Sequence, residues 1–160
     1  MQLRDGEMTL MQHMVRQICG ISLDDSKGYL VETRLGHLAR EFGFENFNEL
    51  YIAVRHGFQS GVKDAIVDAI TTHETTWFRD GGPFDLLERQ LLLDVIEARG
   101  RLAQPKRLRI WSAACSTGQE PYSIAMVLHE RLPDLASWDI EILATDISVG
   151  TLKKAEQGMF

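Results

Sequence analysis

The sequence predicts an α/β protein in which a small four-helix domain precedes the opening part of a parallel-sheet domain. Three observations carry that expectation. Apolar residues recur at helical spacing through the first 72 residues, and after Leu108 the rhythm changes to strand, turn, helix, strand, helix. The composition, 44% hydrophobic and 25% charged over 160 residues, is that of a chain able to bury a core. The domains are expected at residues 1–72 and 73–160.

In the first domain, Met8, Met11, Met14, Val15 and Ile18 share a helical face until Gly20 stops the run. Asp24, Asp25 and Ser26 offer N-cap side chains to a second helix, with Leu30, Val31, Leu35, Leu38 and Phe42 on its apolar side and Gly43 at its end. Asn46 with Glu49 three residues on has the form of a capping box, opening a helix through Leu50, Tyr51 and Val54 to Gly57. Ser60 is placed to cap a fourth helix carrying Val62, Ile66, Ala69 and Ile70.

Gly81-Gly82-Pro83 then breaks the pattern, and proline suits the first turn of the next helix, lined by Phe84, Leu87, Leu91, Leu92 and Val95 up to Gly100. Arg99 to Arg109 holds five basic residues and no acidic ones, and reads as a solvated connector. Leu108 to Ala113 is expected as a strand, Cys115 to Gly118 as a tight turn and Pro121 to Leu132 as a helix. Ile140 to Thr145 follows as a second strand, then Asp146, Ser148 as a cap and a short helix to Gly158. Strand, helix, strand in that order makes a βαβ unit with parallel strands. Two strands are few for a sheet that needs both faces covered, so the second half is expected to be either the front of a larger α/β enzyme domain or an unusual stand-alone fragment.

Composition narrows the function classes. A balance of −6, with 17 Lys and Arg against 23 Asp and Glu, argues against a broad nucleic-acid footprint. Apolar runs reach only a few residues against the roughly 20 of a membrane-spanning helix, and the opening Met1-Gln2-Leu3-Arg4-Asp5 has no apolar signal core. No membrane insertion is expected, and a cytoplasmic location is. Cys19 and Cys115 cannot build a disulfide framework, and His13, His37, His56 and His129 lack metal-ligand spacing, so no metal is expected. Cys115 reads as a small packing residue, and Trp77 and Phe78 as core.

The chemistry-bearing signal is the turn after the first strand taken with the acid after the second. In doubly wound folds ligands lie beyond the carboxyl ends of the strands, where a small-residue turn admits a ligand to backbone amides and a carboxylate can accept ribose hydroxyls. Gly118 and Asp146 occupy those places. On spacing alone, Gly118 could equally serve the turn and Asp146 the helix cap, since the G-x-G-x-x-G pattern is absent. Arg79 would then be a surface ion-pair residue and Glu120 a first-turn partner of the helix dipole.

The run Arg109-Ile110-Trp111-Ser112-Ala113-Ala114-Cys115-Ser116-Thr117-Gly118-Gln119-Glu120-Pro121-Tyr122-Ser123-Ile124-Ala125 resembles the first cofactor motif of the chemotaxis receptor methyltransferases, the CheR family. His73-Glu74-Thr75-Thr76-Trp77-Phe78-Arg79 is similar to that family's N-x-T-x-F-F-R segment. A third motif, Ala144-Thr145-Asp146-Ile147-Ser148 ahead of Leu152, Lys154, Ala155 and Gly158, also resembles that family. The resemblance spans the whole chain. It implies a helical domain followed by the start of a Rossmann-like class I methyltransferase domain that binds S-adenosylmethionine and releases S-adenosylhomocysteine.

The resemblance further implies that His73, Thr75, Arg79, Gly118, Glu120 and Asp146 form cofactor contacts, with Asp146 on the ribose. Glu120 would offset the cofactor's positive charge. Arg79, the one residue it points to as catalytic, has a planar fork suited to a carboxylate of either cofactor or substrate. His73 departs from the family's Asn, and an imidazole cannot donate and accept as an amide does. Lys27, Arg34 and Arg40, on a modestly basic helix, are the implied contacts to the substrate, a chemoreceptor cytoplasmic domain with methyl-accepting glutamates. Two rival readings are a non-catalytic cofactor- or partner-binding module and a nicotinamide-dependent oxidoreductase. An exposed sheet edge would also allow pairing with a second copy.

Overall fold

In the computed structural model, which describes residues 1–101 and 105–160, the chain forms two compact units. One comprises Met1–Thr72 with Ile147–Val149, the other His73–Asp146 with Gly150–Phe160.

The first unit is helical. Helix α1 spans Glu7–Cys19 and ends on Gly20 in the left-handed region, whose amide bonds the Arg16 carbonyl. A 3-10 turn, Asp25–Lys27, leads into α2, a continuous helix built of Gly28–Leu30, a π-helical stretch Val31–Leu35 and Gly36–Glu41. Asp24 caps the entry, Oδ1 accepting from the Ser26 amide at 2.9 Å. Helices α3 (Phe47–His56) and α4 (Val62–Ile70) complete the unit. Asn46 accepts from the Glu49 amide at 2.9 Å, while the Glu49 carboxylate takes the Glu45 amide at 2.8 Å, so the capping box closes one residue further back than its usual form. The expected Ser60 cap is not used: Gly61 is the N-cap of α4, at φ 81° and without a side-chain bond. Met11, Met14, Val15, Val31, Leu35, Leu50 and Ile66, which the periodicity singled out, are buried together, with Phe47 added to them by the fold.

The second unit opens with an extended segment and then α5, composed of Gly82–Leu86, a π-helical stretch Leu87–Leu91 and Leu92–Arg101. That stretch inserts one residue into the helical repeat. Leu92 is consequently buried while Leu91, expected on the same face, is turned to solvent. The expected connector is largely regular structure: helix to Arg101 and strand from Arg107, with 102–104 outside the described residues. Strands β1 (Arg107–Ala113) and β2 (Asp139–Thr145) pair in parallel, Arg107 opposite Asp139 through Ala113 opposite Thr145. Helix α6 (Gln119–Arg131) and a 3-10 turn (Leu135–Ser137) connect them, and α7 (Val149–Gln157) follows β2. Leu108, Ile110, Ile140 and Ile142 pack with Leu92, Ile124, Val127, Leu128, Leu132 and Trp138 on one side of the sheet. On the other, Trp111 and Leu143 are 68% and 55% exposed. No helix among the described residues is long and apolar enough to cross a membrane.

Candidate functional site

At the carboxyl end of β1 the backbone leaves the strand through a run of left-handed residues: Ala114 at φ 62°, Ser116 at 51° and Gly118 at 102°. For Ala114 and Ser116 that conformation costs on the order of 1 kcal/mol each, so surrounding bonds must hold it. They do. The Cys115 amide donates to the Thr145 carbonyl at 2.9 Å, and the Ser116 amide to Asp146 Oδ2 at 2.8 Å. The turn is therefore clamped to the end of the neighbouring strand. Gly118 answers a steric demand as well, because a Cβ there would lie 3.0 Å from that of Ala155 and 3.4 Å from the Phe160 ring.

Two carboxylates flank this turn. Asp146 stands at the end of β2. Glu120, in the first turn of α6, accepts from the buried Ser112 hydroxyl of β1 at 2.7 Å. Their negative field reaches the buried Cys115 thiol, which is pushed up first by burial, then by Asp146, with Glu120 adding to it. A raised thiol is a poor nucleophile, in keeping with a packing role for Cys115.

The segment 73–79 is fastened against the turn by two serines. The Ser116 hydroxyl donates to the His73 carbonyl at 2.9 Å, and the Phe78 amide donates to the buried Ser123 hydroxyl at 3.1 Å. It is thus the backbone of His73 that meets the turn. Trp77 and Phe78, expected in the core, are 40% and 44% exposed. Their rings make edge contacts instead, Trp77 with Phe160 at 4.8 Å and Phe78 with Phe84 at 5.4 Å. Arg79 donates to the Glu74 carbonyl and lies 3.8 Å from Asp80, its side chain half exposed.

The structure therefore gathers His73, Gly118, Glu120 and Asp146 around one turn, with Thr75 on the fastened segment and Arg79 at its exposed end. Lys27, Arg34 and Arg40 belong to the helical unit. Arg34 Nη1 is engaged with the carbonyls of Ala69, Ile70 and Thr71 at 3.3 to 3.5 Å, where it serves the end of α4. Ser112, Ser116 and Ser123 were not singled out from the sequence. Small residues in a turn mark close packing, but only the assembled fold shows which hydroxyl meets which partner.

Comparison with known proteins gives two adjoining matches. Residues 6–71 match the model described as "CheR methyltransferase, all-alpha domain", and residues 73–160 that described as "CheR methyltransferase, SAM binding domain". The chain is 38% identical, over its full length, to "Chemotaxis protein methyltransferase 1" of Pseudomonas aeruginosa, covering 58% of that protein. It is 40% identical over 99% of its length to "Chemotaxis protein methyltransferase" of Vibrio parahaemolyticus, covering 56% of it, and 41% identical over 89% to "Chemotaxis protein methyltransferase 1" of Vibrio cholerae, covering 50%. The chain spans about half the length of the curated relatives it matches. It belongs to the CheR methyltransferase family, and carries that family's helical domain and a portion of its SAM-binding domain.

Proposed function

We propose that this member of the CheR family serves a cytoplasmic protein-glutamate O-methyltransferase that uses S-adenosylmethionine to esterify glutamates of a chemoreceptor's cytoplasmic domain. The observation that carries the reading is the clamped turn: the Asp146 carboxylate fixed across the strand ends on the Ser116 amide, with Glu120 beside it. These residues fit a ribose-bearing cation. A carboxylate at the end of the second strand suits vicinal hydroxyls, and the joint field of Asp146 and Glu120 favours positive charge.

When bound, S-adenosylmethionine supplies a methyl group on a cationic sulfur. The chain's own part is binding and orientation. Asp146 would take the ribose and Glu120 would balance the charge, with His73, Thr75 and Gly118 shaping the remaining wall. The Arg79 fork would hold a carboxylate, that of the cofactor or of the substrate. A substrate glutamate is already ionised at neutral pH, so alignment and exclusion of water suffice and no strong base is required. Lys27, ending the 3-10 turn, and Arg40 on α2 would meet the acidic receptor segment. Arg34 would do so only with the guanidinium nitrogens not turned to the end of α4.

We place the boundary between the two domains at residues 72 and 73. Residues 1–160 by themselves are expected to bind the cofactor weakly without turnover, and their exposed sheet edges would favour pairing with a second copy.

Calorimetric titration of S-adenosylmethionine into the full-length gene product tests the assignment. Asp146→Ala should weaken binding by roughly tenfold or more, a charged acceptor to hydroxyls contributing about 1.5 to 3 kcal/mol. An unchanged dissociation constant in a folded variant would remove Asp146 from the site.

A further inference from the structure

The helical unit contains a concavity of about 620 Å³ that none of the candidate site residues helps to form. It lies among α1, α3 and α4. Met14 and Ile18 of α1 with Tyr51 and Val54 of α3 make an apolar floor, and the polar lining is His13 and Gln17 of α1, Arg55 of α3 and Lys63 of α4. The volume is in the range of small-molecule sites, about 300 to 1,000 Å³, and an apolar floor with a few convergent polar groups is their usual composition.

The charge of this lining sets it apart. In a chain of net charge −6, it includes Arg55 and Lys63 and no carboxylate. The three helices carry four acids in all, Glu7, Glu49, Asp64 and Asp68. Glu7 accepts the Arg4 and Asn48 amides, Glu49 the Glu45 amide and the Asn46 side chain, and Asp68 the Ser148 hydroxyl. Asp64, beside Lys63 in sequence, is turned about 100° from it around the helix and does not line the concavity. Arg55 and Lys63 are in no ion pair among the described residues. They come from different helices yet converge on one apolar floor, which complements a ligand having an apolar body and an anionic group.

We propose that the α1–α3–α4 concavity is a binding site for a small organic anion with an apolar body, its carboxylate or phosphate held by Arg55 and Lys63 and its body resting on Met14, Ile18, Tyr51 and Val54. The site is independent of the cofactor turn and does not rest on the methyltransferase reading.

The probe is 1-naphthoate, titrated into the isotope-labelled chain and followed by amide chemical shifts. Shifts should concentrate at His13, Gln17, Ile18, Tyr51, Arg55 and Lys63. Neutral 1-naphthalenemethanol should bind about tenfold more weakly, since it keeps the apolar body and gives up the charge-assisted bonds. Arg55→Ala combined with Lys63→Ala should lower naphthoate affinity to that of the neutral probe; both side chains are exposed, so the fold is expected to persist. Equal affinity for the two probes, which needs no variant to observe, would overturn the proposal. So would shifts confined to the exposed Trp111 and Leu143 face, or undiminished naphthoate binding by a folded double variant. Inorganic phosphate displacing naphthoate would identify phosphate as a sufficient anionic group. Failure of phosphate to compete, with naphthoate bound as described, would assign the site to carboxylates with apolar bodies.

Discussion

At the scale of single residues, the clamped turn after β1 depends on side chains that fix an unfavourable backbone. Gly118 adopts φ 102° and has the Ala155 Cβ against the position its own would occupy. Gly118→Ala should therefore destabilise the second unit by about 1 to 3 kcal/mol, read as a lower urea midpoint with an unchanged denaturant slope. A midpoint equal to that of the parent chain would show that the turn relaxes at no cost. The places of Gly118 in the turn after β1 and of Asp146 after β2 were legible in the sequence, because both are defined by order along the chain. The serines that hold the site were not. Ser116 and Ser123 act on His73 and Phe78, more than 40 residues away, and nothing in the local pattern distinguishes a serine that bonds a distant backbone group from one that fills a turn. Arg34 shows the same limit: the sequence sets it on a modestly basic helix, and only the fold shows the carbonyls at the end of α4 within its reach.

Among the elements, helices were the most legible, because burial follows apolar spacing directly and Met11, Met14 and Val15 are all buried. The π-helical stretches in α2 and α5 were not, since one inserted residue leaves the apolar count unchanged while rotating everything after it. The exposed face of the sheet is organised by charge. Arg109 reaches both carboxylate oxygens of Asp139 at 2.9 and 3.0 Å and Glu141 at 2.8 Å, and Arg107 adds a bond to Asp139 at 2.9 Å. The side-chain bond from Arg109, and then that from Arg107, hold the Asp139 carboxyl below its usual value of 3.8, while Arg109 is raised. A depressed acid contributes stability above its unfolded pKa and loses it as pH falls through the folded one. The second unit should therefore lose stability as pH drops below about 4, with Asp139→Asn losing less over that interval because it has no such carboxyl to protonate. Parallel losses in parent and variant, measured by urea melts at each pH, would show that this cluster takes no part. Being fully exposed, the cluster should also weaken with added salt.

For the whole molecule, two separate cores, a clamped turn between parallel strand ends and an uncovered sheet face accompany the family's helical and SAM-binding domain matches. Trp111 and Leu143 are large apolar side chains left in water, as expected for a sheet with one face unpaired. The proposed methyl transfer is tested most directly through the chemistry of its product. The full-length gene product would be incubated with tritium-labelled S-adenosylmethionine and the cytoplasmic domain of a chemoreceptor, and the labelled receptor then treated with alkali. A glutamate methyl ester is cleaved by hydroxide and releases its label as volatile methanol, whereas a methylated nitrogen retains it. Receptor labelling should be lost as methanol, greatly reduced in Asp146→Ala, and absent when residues 1–160 replace the full-length protein. Label that survives alkali, or no labelling by a folded full-length protein, would contradict it.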